Sequence, residues 1–383
     1  MNREVSIAAC ASYDPEEAEA ALRAVLAPIG GLDFVEPGMR VAVKLNLVAA
    51  MKPESAATVH PALICALTRL LRERGAEVVL GDSPGGLYNA AALRRVYEVC
   101  GVRAAEEYGA ELNEDFSQVE VEYPEGKLAR SFPYTGWLRK ADAIIDFCKL
   151  KSHGMMGMTC AVKNFFGSVP GTRKPEYHYR YPKAEDFAQV LVDLCEYSAP
   201  RLCICDAVIG MEGNGPTQGR PRRIGCLLAS KSAHALDLAA AELIGLKPEQ
   251  VPTLRAAVAR GLVPAKVEEL ELRGELEPFR QPDFETVPAQ SSVVFLRFGS
   301  GKLGRAVDAV AKSILTPFPK LEESACVGCG KCAATCPAKA ITMVKKRPRI
   351  DRKRCIHCFC CQEFCPKGAM RPGRHWLARV LGR

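Results

Sequence analysis

Long hydrophobic runs are missing from this chain: none approaches the roughly 18 to 20 residues that a membrane-spanning helix needs. Met1 to Cys10 holds early charges and no extended apolar stretch, so no secretory signal is expected and the cytoplasm is the expected location. Common catalytic signatures are lacking too: no His-x-x-x-His pair, no serine-centred elbow and no Walker motif. Low-complexity segments are absent. One shortage is local. Residues 326–383 contain 2 Asp/Glu against 14 Lys/Arg, a formal +12, while the remainder carries 38 basic and 42 acidic residues, or −4. No aromatic-interleaved basic module accompanies that positive end, so nucleic-acid binding is not expected.

Hydrophobic residues make up 48% and charged residues 25%, ordinary for a soluble globular protein, and 383 residues suggest two or three domains. Cysteine, by contrast, is plentiful at 18. Eight of these form two runs of identical spacing, 29 residues apart: Cys326-x2-Cys329-x2-Cys332-x3-Cys336-Pro337 and Cys355-x2-Cys358-x2-Cys361-x3-Cys365-Pro366. Structural zinc prefers two pairs separated by a longer gap, and disulfides need an oxidising compartment. Three cysteines at i, i+3 and i+6 instead wrap one face of a cubane, and the fourth, in Cys-Pro, ligates the other cluster. The runs predict two [4Fe–4S] clusters. Cys326, Cys329, Cys332 and Cys365 hold one; Cys355, Cys358, Cys361 and Cys336 hold the other. Cys360, beside a ligand, is read as a non-ligand, and the other nine as buried small hydrophobes kept reduced.

The basic residues Lys345-Lys346-Arg347 and Arg352-Lys353-Arg354 flank the cluster loops. Oxidised cubanes with four thiolates are anionic, so these cations suit charge compensation or docking of an acidic electron carrier or reductase.

Strands alternate with helices along the rest of the chain. Asp14-Pro15-Glu16-Glu17 starts a helix that Gly30-Gly31 ends, and Pro61 opens a second that stops by Gly75. Strands are expected at Val41–Val48, Glu77–Leu80, Ala143–Leu150, Arg201–Asp206, Ile224–Leu228 and Ser292–Phe298, with helical patterns at Phe187–Glu196 and Ala235–Ile244. The class is α/β: a mainly parallel sheet with helices on both faces, plus a small α+β ferredoxin-like end. Boundaries are set at 1–300 for the α/β domain, 301–321 for a helical, Pro-containing linker (Leu303, Val307, Val310, Ile314), 322–372 for the ferredoxin module and 373–383 for a basic amphipathic tail. Gly299-Ser300-Gly301-Lys302-Leu303-Gly304 fits GxGxxG but lacks the following parallel strand and acidic residue, so it reads as a strand-to-helix turn.

Polar residues gather at the predicted strand exits, where open α/β sheets bind ligands. Alternation puts Lys44 and Asn46 on one strand face, and Lys149, Lys151 and His153 repeat the pattern. Asp82 follows one strand and Asp206 ends another. The Gly-rich stretches Gly154–Gly157, Lys163–Gly171 and Gly210–Pro216 offer backbone amides to an anion. Lys44, Asn46, Lys149, Lys163 and Asn164 are expected to bind an anionic small substrate, which lysines suit. His153, titrating near neutrality, is expected to be the proton donor, with Lys151 a further catalytic residue that holds the anion. Asp82 and Asp206 would orient that acid or hold a metal. A flavin or a metal in this domain stays open.

Asp82-Ser83-Pro84-Gly85-Gly86, the Lys-x-Lys-x-His-Gly run at 149–154, Lys163-Asn164-Phe165-Phe166-Gly167 and Met211-Glu212-Gly213-Asn214-Gly215-Pro216 resemble the family called domain of unknown function 362. The resemblance spans roughly residues 40–250, and that family is often fused to a two-cluster ferredoxin, as here. Only the eight cluster ligands carry over with a role. The expectation is an iron–sulfur oxidoreductase relaying single electrons to or from a substrate or second cofactor in the α/β domain. The alternative is a non-enzymatic electron carrier or an assembly factor that binds a partner.

Overall fold

The computed structural model describes residues 2–287 and 317–373. The expected strand Ser292–Phe298, the Gly299–Gly304 turn, the helical stripe Leu303–Ile314 and the tail beyond Gly373 lie outside the described residues. The strands of the large domain are β1 (Glu4–Ala9), β2 (Arg40–Leu45), β3 (Glu77–Gly81), β4 (Ala110–Leu112), β5 (Gln118–Glu122), β6 (Ser131–Thr135), β7 (Ala143–His153), β8 (Gly157–Thr159), β9 (Leu202–Asn214), β10 (Gln218–Ser230) and β11 (Glu271–Arg273). Nine of them form one sheet in the order β11-β1-β10-β9-β7-β2-β3-β4, with β8 paired to β7. The run β9-β7-β2-β3-β4 is parallel throughout, and β10 is the antiparallel insertion beside it. β5 and β6 make a separate hairpin.

Helices α1 (Pro15–Leu26), α2 (Pro61–Glu73) and α3 (Ala90–Val99) cover one face, where Leu22, Leu63 and Leu93 pack on Val41, Val43 and Phe147. Between them and the C-terminal half come the short α4 (Gly136–Arg139), α5 (Ala161–Asn164) and α6 (Lys174–Arg180). With α5, the helices α7 (Ala184–Ser198), α8 (Ala233–Leu243) and α9 (Pro252–Ala259) cover the other face, where Val162, Leu191 and Leu236 pack on Ala42, Cys148 and Cys205. Local signals explain the boundaries. The Asp14 carboxylate accepts from the amides of Glu16 and Glu17, with Pro15 at the first helical position. Gly30, at φ +54, ends the turn that follows α1.

Strands β7, β9 and β10 run well beyond their expected limits; β10, expected at Ile224–Leu228, spans Gln218–Ser230. β7 continues three residues beyond Leu150, and all eleven of its residues are buried. β9 continues eight residues beyond Asp206, because it pairs with β10 out to Asn214. Asp206 therefore lies mid-strand, and Gly210–Asn214 is hairpin strand rather than an open anion loop.

The C-terminal module folds from β12 (Phe318–Leu321), β13 (Ile341–Val344), β14 (Arg347–Ile350), β15 (Met370–Gly373) and two short helices, Lys331–Ala334 and Cys360–Glu363. β12 pairs with β15, so residues assigned to the linker close the module as an edge strand.

A buried carboxylate ties the β5–β6 loop to the body. Asp193, fully buried on α7, accepts from the amides of Lys127 at 3.0 Å, Leu128 at 2.8 Å and Ala129 at 2.9 Å, and from Arg260 Nη1 at 2.7 Å. Asp193→Ala leaves three amides and a guanidinium unanswered. It should cost about 3 kcal/mol in urea denaturation followed on the large domain.

Candidate functional site

The carboxyl ends of β2, β3 and β7 meet the C-terminal module across a cavity of about 70 Å³. Asn46, Asp82, Lys151, Lys163 and Asn164 line it from the large domain, with Thr159, Phe166, Gly167, Lys174 and His178. Cys360, Glu363 and Phe364 line it from the module. That volume and the mixed polar lining suit a few waters or one small anion.

Lys44 is fully buried, 2.7 Å from Asp82 Oδ1, and donates to the Leu45 carbonyl at 2.6 Å and to Asn164 Oδ1 at 3.2 Å. Asn164 Oδ1 also accepts from Asn46 Nδ2 at 2.8 Å, and its amide donates to Asp146 Oδ1 at 2.6 Å. Gly167 makes this crossing possible. A Cβ there would stand 2.2 Å from Asp82 Oδ1 and 2.4 Å from Lys44 Cε. Lys151 donates to Asn46 Oδ1 and to the Ala57 carbonyl, both at 2.6 Å. Lys174 donates to the Ser83 carbonyl, with its ammonium 5.4 Å from the centre of the Phe166 ring. Lys163 makes no hydrogen bond or ion pair within the described residues. The Glu363 carboxylate is the negative group that acts on it at longer range.

Amines this poorly hydrated hold protons loosely. Burial, reinforced by Lys163 and Lys149, brings Lys151 down to about 7. Burial also brings Lys174 down to about 7, with Lys44 and Lys163 adding to it against the pull of Asp82. Lys163 is lowered by burial as well. Two polar atoms in the wall have no partner: Thr159 Oγ1 and His178 Nδ1, on residues 3% and 4% exposed. A cluster of under-compensated ammonium groups beside unpaired polar atoms is the environment that an anionic ligand would complete.

His153 has a different part from the one its residue type suggests. Its Nδ1 accepts from the amides of Met155 and Met156, both at 3.1 Å, so the proton sits on Nε2, 3.1 Å from Glu363 Oε1. Burial and the charge of Lys163 bring the ring down to about 4, so it is neutral at pH 7 rather than titrating there. Burial alone would raise Glu363; the His153 hydrogen bond and the positive charge around it, Lys163 included, together outweigh it and hold the carboxyl at about 2. His153 therefore donates a fixed hydrogen bond across the domain boundary. The amides of the 154–157 turn, expected to face an anion, are occupied by His153.

Lys149 and Asp206 do not reach the cavity. Alternation along β7 places Lys149 with Phe147, on the sheet face opposite Lys44. There Lys149 Nζ lies 2.7 Å from Asp206 Oδ2 and 2.8 Å from Tyr13 Oη. Tyr13 donates to Asp206 Oδ1 at 2.9 Å and stacks on His60 with ring centres 3.7 Å apart. The Asp206 and Asp82 oxygens are all engaged, Asp82 also by the amides of Leu47 and Ser83, which leaves neither carboxylate open to a metal. Lys174, His178, Thr159 and Glu363 were not singled out in the sequence. The aromatic-basic run Lys174–Arg180 is the one local signal that pointed to the first two.

The module docks through the helix Cys360–Glu363. Gln362 Nε2 donates to the Asn214 carbonyl at 3.1 Å, and Thr217 Oγ1 to the Glu363 carbonyl at 3.3 Å. Phe364 fills the space over Gly85, where a Cβ would lie 2.3 Å from its Cζ. Cys360 is 2% exposed and faces this interface, which keeps it apart from the ligand spacing on either side. Cys326, Cys329, Cys332 and Cys365 all line one small apolar cavity within the module. The Cys361 thiol feels Cys358, Cys355 and Cys336 of its own set most strongly, and Cys332 of the other set after them. Four convergent thiols around an apolar hollow fit an iron–sulfur cluster and suit no oxygen-seeking cation. None of the eighteen cysteines is in a disulfide.

Comparison with known proteins agrees with this division. A family model described as a domain of unknown function, DUF362, matches residues 41–242, and one described as a 4Fe-4S dicluster domain matches residues 318–366. The thylakoid-associated protein sll1697 of Synechocystis sp. is 35% identical over 276 residues, covering 70% of this chain and 83% of that protein. Among solved structures, the lactate racemase apoprotein of Thermoanaerobacterium thermosaccharolyticum matches with a TM-score of 0.40 at 10% identity, over 63% of this chain and 56% of that one. A Thermotoga maritima protein matches with a TM-score of 0.32 at 13% identity, over 55% and 53%. This chain thus spans little more than half of each of those structures. No described helix is long and apolar enough to cross a membrane.

Two outcomes test the geometry. Lys151 and Lys174 hold their protons less tightly when folded than their ordinary 10.5, so the unfolded chain binds more protons between about pH 7 and 10.5. Their penalty is fully present below pH 7, and stability should rise with pH across that window. In Lys174→Met the rise should be visibly smaller in urea titrations at pH 6.5 and 9. Gly85→Val should displace Phe364, and the 360–364 segment should then exchange its amides at least about tenfold faster by mass spectrometry.

Proposed function

The chain belongs to the DUF362 family, and from that premise we propose that it is an iron–sulfur oxidoreductase acting on a small anionic molecule held between its two domains. Two [4Fe–4S] clusters are assigned, one to Cys326, Cys329, Cys332 and Cys365, the other to Cys355, Cys358, Cys361 and Cys336. When bound, such clusters supply one-electron transfer at potentials tuned by their surroundings. The observation that carries the reading is the shared cavity. One wall holds Lys151, Lys163 and Lys174; the other is Cys360–Phe364, which runs between three ligands of one set and a ligand of the other.

In this reading the three amines bind the anion and exclude water with Phe166 and Phe364. Asn46 and Asn164 orient Lys151 and Lys44, and the Lys44–Asp82 pair holds the ends of β2 and β3 in register. Lys151, with its amine near neutrality, holds the transferable proton at Nζ. His153 positions Glu363 and with it the module wall. Lys149 and Asp206 act as a closed structural pair beneath the site. An acidic carrier protein or reductase exchanges electrons with the module. The ten cysteines outside the cluster sets, none of them in a disulfide, suit a reducing compartment, and we assign the protein to the cytoplasm.

Anaerobically purified protein should carry about eight iron atoms and release a small anion on denaturation, identifiable by mass spectrometry. The double variant Lys151→Ala/Lys163→Ala should keep its iron and lose at least about tenfold of that anion. Cys329→Ala should lose iron and keep the cavity. Undiminished anion and undiminished activity in the lysine double variant would remove the cavity from the reaction.

A further inference from the structure

We propose that the face formed by the loop 327–330 and the Lys345–Lys346 hairpin tip is the docking surface for an acidic one-electron carrier protein. This rests on the electron-handling role above, and it adds where the partner binds and which chemistry selects it.

The two four-thiol sets differ in access. Cys336, Cys358 and Cys361 are buried, and the last two bracket Cys360 on the cavity wall. Cys355 of that set is half-buried; the other set includes Cys329, which is exposed, with Cys326 and Cys365 partly so and Cys332 buried. Val327, 62% exposed, stands in the loop between Cys326 and Cys329, and Val344, 41% exposed, ends β13. Lys331, Lys345 and Lys346 are exposed and have no ion-pair partner among the described residues. Arg347 Nη1 donates to the carbonyls of Cys326 at 2.6 Å and Glu323 at 3.0 Å, fastening the hairpin to the cysteine loop. The nearby acids are Glu322, 3.8 Å from Arg371, and Glu323. Exposed valines among unpaired cations match a partner that is apolar at its centre and acidic at its rim.

The backbone supplies an independent argument. β13 and β14 are joined by two residues, Lys345 and Lys346, at φ +48° and +60°. A two-residue turn with both φ positive is the one that Asn-Gly relaxes, and lysines are strained there. The tip also leans on the cysteine loop, since a Cβ on Gly328 would lie 2.6 Å from the Lys346 carbonyl oxygen. The hairpin thus keeps two ammonium groups over the exposed loop where a relaxed turn would carry none. Among the described residues the loop 327–330 and the hairpin tip carry no aromatic side chain for stacking bases, which favours a protein over a nucleic acid.

The test uses full-length, cluster-loaded protein and K345N/K346G, which removes both charges while relaxing the turn. The probe is an acidic plant-type [2Fe–2S] ferredoxin, with basic cytochrome c and duplex DNA for comparison. The variant should keep its iron, its cavity anion and an equal or higher thermal midpoint, yet bind the ferredoxin about tenfold more weakly in calorimetry. Added salt should weaken wild-type binding more steeply than that of the variant. Unchanged ferredoxin affinity in the variant, or wild-type binding of cytochrome c or DNA as tight as that of ferredoxin, would overturn the proposal. An irrelevant cavity with intact docking would count against the substrate reading alone.

Discussion

A lysine ammonium taken out of water must find an acceptor, a counter-ion or a way to lose its proton. This protein places Lys44, Lys149, Lys151 and Lys174 under that constraint, all of them buried. Each resolves it differently. Lys44 and Lys149 have carboxylates at 2.7 Å. Lys151 has only an amide oxygen and a carbonyl, and Lys174 only a carbonyl, so both are brought down to near neutrality. The difference separates scaffold from site. Paired lysines lock strands together, whereas unpaired ones leave a local demand for negative charge, and the cavity lies where that demand is concentrated.

The second consequence of burial is that neither domain completes the cavity alone. The large domain contributes amines and the module contributes Cys360, Glu363 and Phe364. The His153–Glu363 hydrogen bond, fixed by two backbone amides on the far side of the ring, sets the register between them. The module's asymmetry has the same origin. One cysteine set is turned inward by the docking of Cys360–Glu363, and the other is left at the surface with valines and lysines around it.

Much of this was legible in the residues. The cysteine runs encode their chemistry locally, because ligand spacing within a tight loop is a short-range property. The Lys44-x-Asn46 alternation pointed to a shared face, and Asn46, Asp82, Lys151, Lys163 and Asn164 do meet at one cavity. Lys149 and Asp206 went elsewhere, since a strand buried on both faces hides which side is which. His178 and Thr159 carried no motif, and their unpartnered atoms have meaning only against walls contributed by distant segments.

Sequence by itself determined the two metal-binding runs, the alternating α/β organisation and the concentration of lysines at strand ends, because each depends on spacing within a few residues. Tertiary structure alone decided which lysines are paired, which face each occupies, that His153 is neutral and hydrogen-bonded to Glu363, and which cysteine set faces solvent. Those outcomes depend on how much water is excluded around each group, and water exclusion is a property of the packed domains rather than of any stretch of chain.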